Sequence, residues 1–222
     1  MSLLLRAIVA GTDATAARGD GSTLLVVAAG RVAAIATAHE AKSSPTSEAL
    51  LEHHRVVQSI FDRVPCLPAR FGSVFPDERA LGMQLADRED ELATALARIG
   101  SRCELAITLA WRDKGDATVG GHGGSGRAYL ERSSARERVS RERERRAKDL
   151  TARLLAELST EPALLRHETC PRASVAVSMA ALVKREALGG LRSRIERLGS
   201  TFPDVTTIVQ GPWAPYSFAV TA

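Results

Sequence analysis

The residues best spaced for chemistry are Gly121-His122-Gly123-Gly124-Ser125-Gly126, which satisfy Gly-x-Gly-x-x-Gly ahead of a helical stretch. In a dinucleotide site, such glycines turn directly out of a buried strand so that the backbone can approach a pyrophosphate. Here residues 111–120 separate the preceding strand from the glycines, and the expected ribose-binding acid would fall inside a charged helix. The same glycines fit Gly-x4-Gly, but Arg127-Ala128 stands where a phosphate loop needs Lys followed by Ser or Thr. Ser125 is no nucleophile elbow, because Arg127 occupies the position of the second glycine. The loop therefore reads as a flexible connector, with a nucleotide-binding enzyme as the remotest alternative. The histidines are His39, His53, His54, His122 and His167. His53 and His54 are adjacent and point about 100° apart on a helix, whereas a zinc pair needs i,i+4 spacing. One should face a core and the other solvent. Cys66, Cys103 and Cys170 are far apart and form neither a disulfide framework nor a metal clip. No catalytic residue, metal ligand or cofactor is expected, and no small-molecule ligand.

The elements that would position these residues follow from periodicity. Leu3–Ala10 reads as a strand and Gly11–Gly21 as a loop. Ser22–Ala28 is a second strand, and Gly30 turns the chain into a hairpin partner at Arg31–Thr37. A helix is expected from about Thr46 to Val64 along Leu50, His54, Val57, Phe61 and Val64. Two prolines leave Pro65–Phe75 as an edge strand at best. Asp77 can cap one helix running to Ile99 through Leu81, Leu85, Leu92 and Leu96, stopped by Gly100. Cys103–Trp111 alternates as a strand. A long helix, about Arg127–Leu158, is charged in its first half, with i,i+4 pairs Glu137–Arg141, Glu142–Arg146 and Glu144–Lys148. Its second half carries an apolar stripe at Ala147, Leu150, Leu154 and Leu158, so the charged half should project from the body. Strands at Arg172–Val183 and Val205–Val209 flank a helix at Lys184–Leu198. The order is that of an α+β protein in two modules, with an N-terminal domain over residues 1–100 and a C-terminal domain over 101–222.

The 222 residues are 45% apolar, enough to build a packed core. No stretch of eighteen apolar residues exists and the opening apolar run is short, so neither a membrane span nor a leader is expected, and the chain reads as cytoplasmic. The net charge of +4 is local. Arg127–Asp149 holds nine bases and five acids, and the remainder balances. Acids interleave with the bases and stacking aromatics are lacking beyond Tyr129, which argues against a nucleic-acid arm.

Aromatic residues are only 4% of the chain, yet Trp213, Tyr216 and Phe218 stand together near its end with Pro212 and Pro215. Phe71 and Phe75 lie in the other proline-bearing segment. A Gly-Pro-Trp-x-Pro-Tyr run must be a stiff extended strip. Such a strip either locks onto its own core, which the physics alone favours, or presents anchors to a partner.

Four segments resemble the gas vesicle protein F/L family (GvpL/GvpF). They are the helix with His54; Leu67-Pro68-Ala69-Arg70-Phe71-Gly72-Ser73-Val74-Phe75; Gly126-Arg127-Ala128-Tyr129-Leu130; and Gly211-Pro212-Trp213-Ala214-Pro215-Tyr216-Ser217-Phe218. The family usually opens on an aromatic strand, where this chain has Leu4-Leu5-Arg6-Ala7-Ile8. The resemblance implies a two-domain α+β protein with a ferredoxin-like element and a coiled-coil or helical-hairpin portion. It implies an accessory or minor structural role, not an enzymatic one, in assembling gas vesicles. The expected partners are the hydrophobic shell subunit and other accessory proteins, met at the vesicle or in the cytoplasm. The family-motif residues expected to serve contact or structure are Arg70, Phe71, Gly72, Phe75, Gly126, Tyr129, Gly211, Pro212, Trp213, Pro215, Tyr216 and Phe218. A binding module of some other assembly is the alternative.

Overall fold

The computed structural model describes residues 1–19, 23–39, 46–112, 126–159, 164–169 and 174–219. The Gly121–Ser125 loop, His122 and Cys170 lie outside them. The chain divides into two compact units, residues 1–104 with 212–222, and residues 105–211.

In the first unit, β1 (Ser2–Ala10) is central. The hairpin β2 (Leu25–Ala29) and β3 (Val32–His39) lies on one side of it, in the order β2-β3-β1, all antiparallel. Gly30 makes the hairpin turn at φ +57°. The other edge of β1 receives two short strands, β4 (Leu67–Pro68) and β5 (Val74–Phe75), pairing Ala7 with Pro68 and Leu3 with Phe75. The edge placement of this proline-bearing segment is what its missing N–H donors require. Four helices follow the strands or cover them: α1 (Ala14–Arg18), α2 (Ser47–Phe61) and the pair α3 (Glu78–Asp87) and α4 (Glu89–Ile99). The core is Leu3, Leu5, Val9, Ile35, Ile60, Leu67, Leu81, Leu92 and Ile99, each at most 2% exposed.

Several local expectations are corrected. Gly11–Gly21 contains a helical turn and α1, built on its alanines. The buried face of α2 is His53, Val57, Ile60 and Phe61, while Leu50 is 51% exposed. Spacing by three and four fits both stripes, and apolarity chose Leu50; the hydrogen bonds of His53, described below, decide otherwise. The helix after Asp77 is two helices, broken at Arg88 (φ −117°, ψ 16°). Leu85 and Leu92 are seven residues apart, so the stripe runs through the break unseen. The signal for a new start was the acidic first turn Glu89-Asp90-Glu91. Glu89 also accepts the Arg31 backbone N–H at 2.8 Å, bolting the hairpin tip to α4. Asp77 does cap α3, accepting from Ala80 N at 2.8 Å, and Gly100 ends α4 at φ +52°.

The second unit runs β6 (Arg102–Trp111), α5 (Gly126–Leu158), β7 (Leu164–Thr169), β8 (Val175–Lys184), α6 (Leu188–Ser200) and β9 (Val205–Trp213). The sheet order is β7-β8-β6-β9. β7 is a correction to the sequence reading. Among the described residues this edge strand pairs only with β8, from Leu164↔Leu182 to Thr169↔Val177, and its sequence LLRHET alternates poorly. On α5 the stripe Ala147, Leu150, Leu154 and Leu158 is fully buried as expected. Glu137–Arg141 and Glu144–Lys148 pair at 2.5 and 2.9 Å. Glu142 instead pairs with Arg145, because Arg146 is taken by Asp204, Nε to Oδ2 at 2.7 Å and Nη2 to Oδ1 at 2.9 Å. That two-point bond ties α5 to the start of β9 and holds the Asp204 carboxyl below the usual range. No helix among the described residues is long and apolar enough to cross a membrane.

Candidate functional site

The family-motif segments of the first unit meet around a break in β1. The β1–β3 register slips between Leu5 and Ala7, so Arg6 is the extra residue of a β-bulge. A bulge re-aims its side chain, and Arg6 turns inward until only 8% is exposed. Its Nε donates to Thr37 Oγ1 at 3.0 Å and its Nη1 to His53 Nδ1 at 3.2 Å. His53, 1% exposed, then has Nδ1 as acceptor, so its proton sits on Nε2 and is donated to the Ala69 carbonyl at 3.0 Å. Burial lowers the His53 pKa, and the Arg6 charge lowers it further against the raising effect of the Ala69 carbonyl, so the ring is neutral. Burial also pulls the Arg6 pKa down, countered by the Glu52 charge.

The two backbone groups nearest this pair tie down the motif segment: Ala69 N donates to Arg6 O at 2.9 Å, and Leu5 N to Ser73 O at 2.9 Å. Between them Arg70 is exposed and Phe71 turns its ring edge-on to His53, 5.5 Å away. Gly72 follows at φ +88° with open space where a Cβ would stand, so backbone conformation alone calls for glycine there. Phe75 is half-buried on β5. Cys66, just before β4, is sealed, and burial pushes its thiol up to about 12, which makes it a packing residue rather than a nucleophile.

The C-terminal strip is fastened by α2 and Glu104. Gln58 Oε1 accepts from Ala214 N at 3.2 Å, and its Nε2 reaches Pro212 O at 3.4 Å. One turn earlier, His54 meets the Trp213 ring edge-on at 5.1 Å and the Tyr216 ring at 6.1 Å. Glu104, 7% exposed, accepts from both Ser217 N and Ser217 Oγ, at 2.7 and 2.8 Å. Ala214, Pro215 and Phe218 are buried, Trp213 is half-buried, and Pro212 and Tyr216 are exposed. Burial of part of its ring raises the Tyr216 hydroxyl pKa, so the phenol stays protonated. The strip therefore does both things its sequence allowed: one side locks onto its own unit and the other remains available. Outward on α2, Leu50 and Leu51 precede His54 by one turn and are 51% and 55% exposed. Leu50, Leu51, His54, Trp213 and Tyr216 thus line one apolar ridge.

Sequence reasoning missed Arg6, His53, Gln58 and Glu104 as the residues that hold these segments. A charge inside each of two apolar strands, at Arg6 and Glu104, was the signal available. Gly211 lies on β9 at φ +124°, its carbonyl accepting from Arg192 Nη2 at 2.8 Å in the second unit. Gly126 opens α5, and the Tyr129 side chain lies outside the described residues. No group of three metal-ligating side chains occurs among the described residues.

Comparison with known proteins agrees with the motif strings. The sequence profile described as "Gas vesicle synthesis protein GvpL/GvpF" matches residues 5–220. The chain belongs to the GvpL/GvpF family. Gas vesicle protein L of Streptomyces sp. (strain CB03234) is 30% identical over 181 residues, covering 75% of this chain and 67% of that protein. Crystal structures of GvpF share the fold. That from Anabaena sp. PCC7120 has a TM-score of 0.76 at 17% identity, over 100% of this chain and 97% of the other. That from Microcystis aeruginosa has a TM-score of 0.74 at 16% identity, over 99% of both chains. This GvpL/GvpF protein is therefore α+β, as expected, its sheets are antiparallel, and it is a member of a gas vesicle family.

Proposed function

We propose that this protein is an accessory or minor structural factor of gas vesicle assembly that binds the hydrophobic shell subunit, or other accessory proteins, during nucleation or growth. The observation that carries this reading is the ridge of Leu50, Leu51, His54, Trp213 and Tyr216: apolar, partly exposed, and backed by the hydrogen bonds of Gln58 and Glu104 to the strip. A shell subunit that buries an apolar face only on assembly needs that face covered beforehand. A pre-shaped aromatic ridge can cover it at small entropic cost. The protein then acts by adhesion, at the vesicle or in the surrounding cytoplasm, with Arg70, Phe71, Gly72 and Phe75 shaping the unit that bears the ridge. We read the second unit as ferredoxin-like, supported by its β-α-β-β-α-β order and its sheet order. We read the charged half of α5 as a projecting spacer or coiled-coil arm.

Co-purification of the shell subunit with Trp213→Ala/Tyr216→Ala and with Leu50→Ser/Leu51→Ser tests the proposal. Both double variants should lose most of the bound subunit while keeping a native circular dichroism spectrum. Undiminished capture by both folded variants would remove the ridge from the interface.

A further inference from the structure

Helix α2 buries His53, Val57, Ile60 and Phe61 in the first unit. Its other side carries a second stripe that faces outward. Ser47, Leu51, His54 and Gln58 stand at i, i+4, i+7 and i+11, and none of them is buried. That is the spacing of a coiled-coil seam. Leu51, 55% exposed, sits within the seam, and Leu50 flanks it. On the side of Leu50 lie the Trp213 and Tyr216 rings, reached through His54. On the opposite side lie Glu48 and Arg55, seven residues apart and both exposed. Glu48 has no ion-pair partner among the described residues. Arg55 gives one N–H to Glu52, Nη1 to Oε2 at 3.3 Å. Both of those side chains are more than half exposed, so the contact is weak, and the rest of the guanidinium fork can take a second carboxylate.

Such a stripe complements itself. When a second α2 is laid antiparallel along the seam, Leu51 of each helix meets His54 of the other, and Glu48 of each comes beside Arg55 of the other. A parallel pairing would set Arg55 beside Leu50 and leave Glu48 without a base. From this we infer that a second copy of this chain docks on α2. The result is a two-fold, antiparallel dimer in which two Glu48–Arg55 pairs close one side and the surfaces of Leu50, Trp213 and Tyr216 close the other. The charge pattern chooses this occupant, because a second copy supplies the matching base and acid by symmetry. Helix α2 has 15 residues, about 22 Å of length, so the interface is short and the dimer weak and reversible. It covers part of the ridge, so a docked copy and another protein on that ridge exclude one another. The pairing does not rest on what else the ridge binds.

Sedimentation of the full-length chain alone, from about 2 to 200 µM, should move from the 23.7 kDa monomer toward twice that mass. Leu51→Ser should stay monomeric over that range with an unchanged circular dichroism spectrum. Glu48→Arg and Arg55→Glu should each weaken association about tenfold, since each substitution enters a two-fold interface twice. The exchanged protein Glu48→Arg/Arg55→Glu should recover most of that loss, which general stickiness of the leucines would not produce. The inference is overturned by a monomer at every concentration, by larger species of mixed size in place of a dimer, by a dimer that persists in Leu51→Ser, or by an exchanged protein that associates no better than the single variants.

Discussion

His53 is a proton-sensitive side chain in the middle of a sealed hydrogen-bonded chain. Its Nδ1 lone pair is used by Arg6 and its Nε2 proton by Ala69. A second proton would have to be placed on Nδ1, against the Arg6 guanidinium. Burial and then that guanidinium hold the folded pKa below the ordinary histidine value of 6.5. The sign follows from linkage: the unfolded ring takes up a proton that the folded ring refuses. The stability from neutral His53 is fully present above about pH 6.5 and is lost as pH falls below it toward the folded pKa. Urea midpoints at pH 8, 7, 6 and 5 should decline more steeply in the wild type than in His53→Gln, though the variant starts lower. Parallel slopes would show that His53 does not govern the acid limb. Glu104 makes a second prediction at this scale. Glu104→Gln keeps the shape but weakens two charge-assisted bonds to Ser217, so unfolding free energy should fall by about 1.5–3 kcal/mol. Equilibrium denaturation in a Trp111→Phe background, followed by Trp213 emission, would measure it. Neither residue was legible as functional in the sequence, because a buried polar group has meaning only through a partner distant along the chain. What was legible is the backbone around Trp213, extended at the end of β9, because a run of rings and prolines has few conformations to choose from.

Elements were legible where local chemistry decides them. Asp77 and Gly100 mark helix ends in any context, and the alternation of Cys103–Trp111 survives as β6. They were illegible where a tertiary contact decides. The face of α2 was chosen by Arg6, and β7 exists because β8 lies beside it. The glycines of α6 separate the two cases. Gly189 has open space where a Cβ would stand, whereas a Cβ on Gly199 would run into Thr207 Oγ1 and lie 2.7 Å from Thr207 Cβ. Helix α6 therefore packs on β9 through Gly199 at a distance no other residue permits. Gly189→Ala should stabilise by about 0.5–1 kcal/mol, since it only removes backbone freedom from the unfolded chain. Gly199→Ala should destabilise by about 1–3 kcal/mol, because Thr207 or the helix must shift. Urea midpoints read both, and a common sign for the two variants would refute the packing argument.

At the scale of the whole molecule, the chain leaves the first unit at Glu104 and returns to it at Pro212. The second unit is thus inserted into the first, and the topology of its sheet is what makes the insertion cheap. β6 and β9 are neighbours, and Arg112 N donates to Asp204 O at 3.0 Å, so the end of β6 lies against the start of β9 and the two strands run antiparallel. Both chain ends of the second unit then emerge at the same end of its sheet. While that unit is folded, the first unit closes no long loop when it seats its C-terminal strip. Once residues 105–211 unfold, seating Ala214 and Phe218 requires closing a loop of that whole length, an entropic cost on the order of 4 kcal/mol. A lesion confined to the second unit should therefore loosen the strip in the first. In a Trp111→Phe background, where Trp213 is the remaining tryptophan, Gly199→Val should move the Trp213 emission transition to lower urea, although Gly199 belongs to the second unit. Phe218→Ala, which opens a cavity in the first unit, serves as the positive control and should also move it. If Gly199→Val unfolds the second unit by circular dichroism while the Trp213 midpoint stays in place, the strip is seated by its local bonds to Gln58 and Glu104 alone, and the inserted sheet contributes nothing to the ridge.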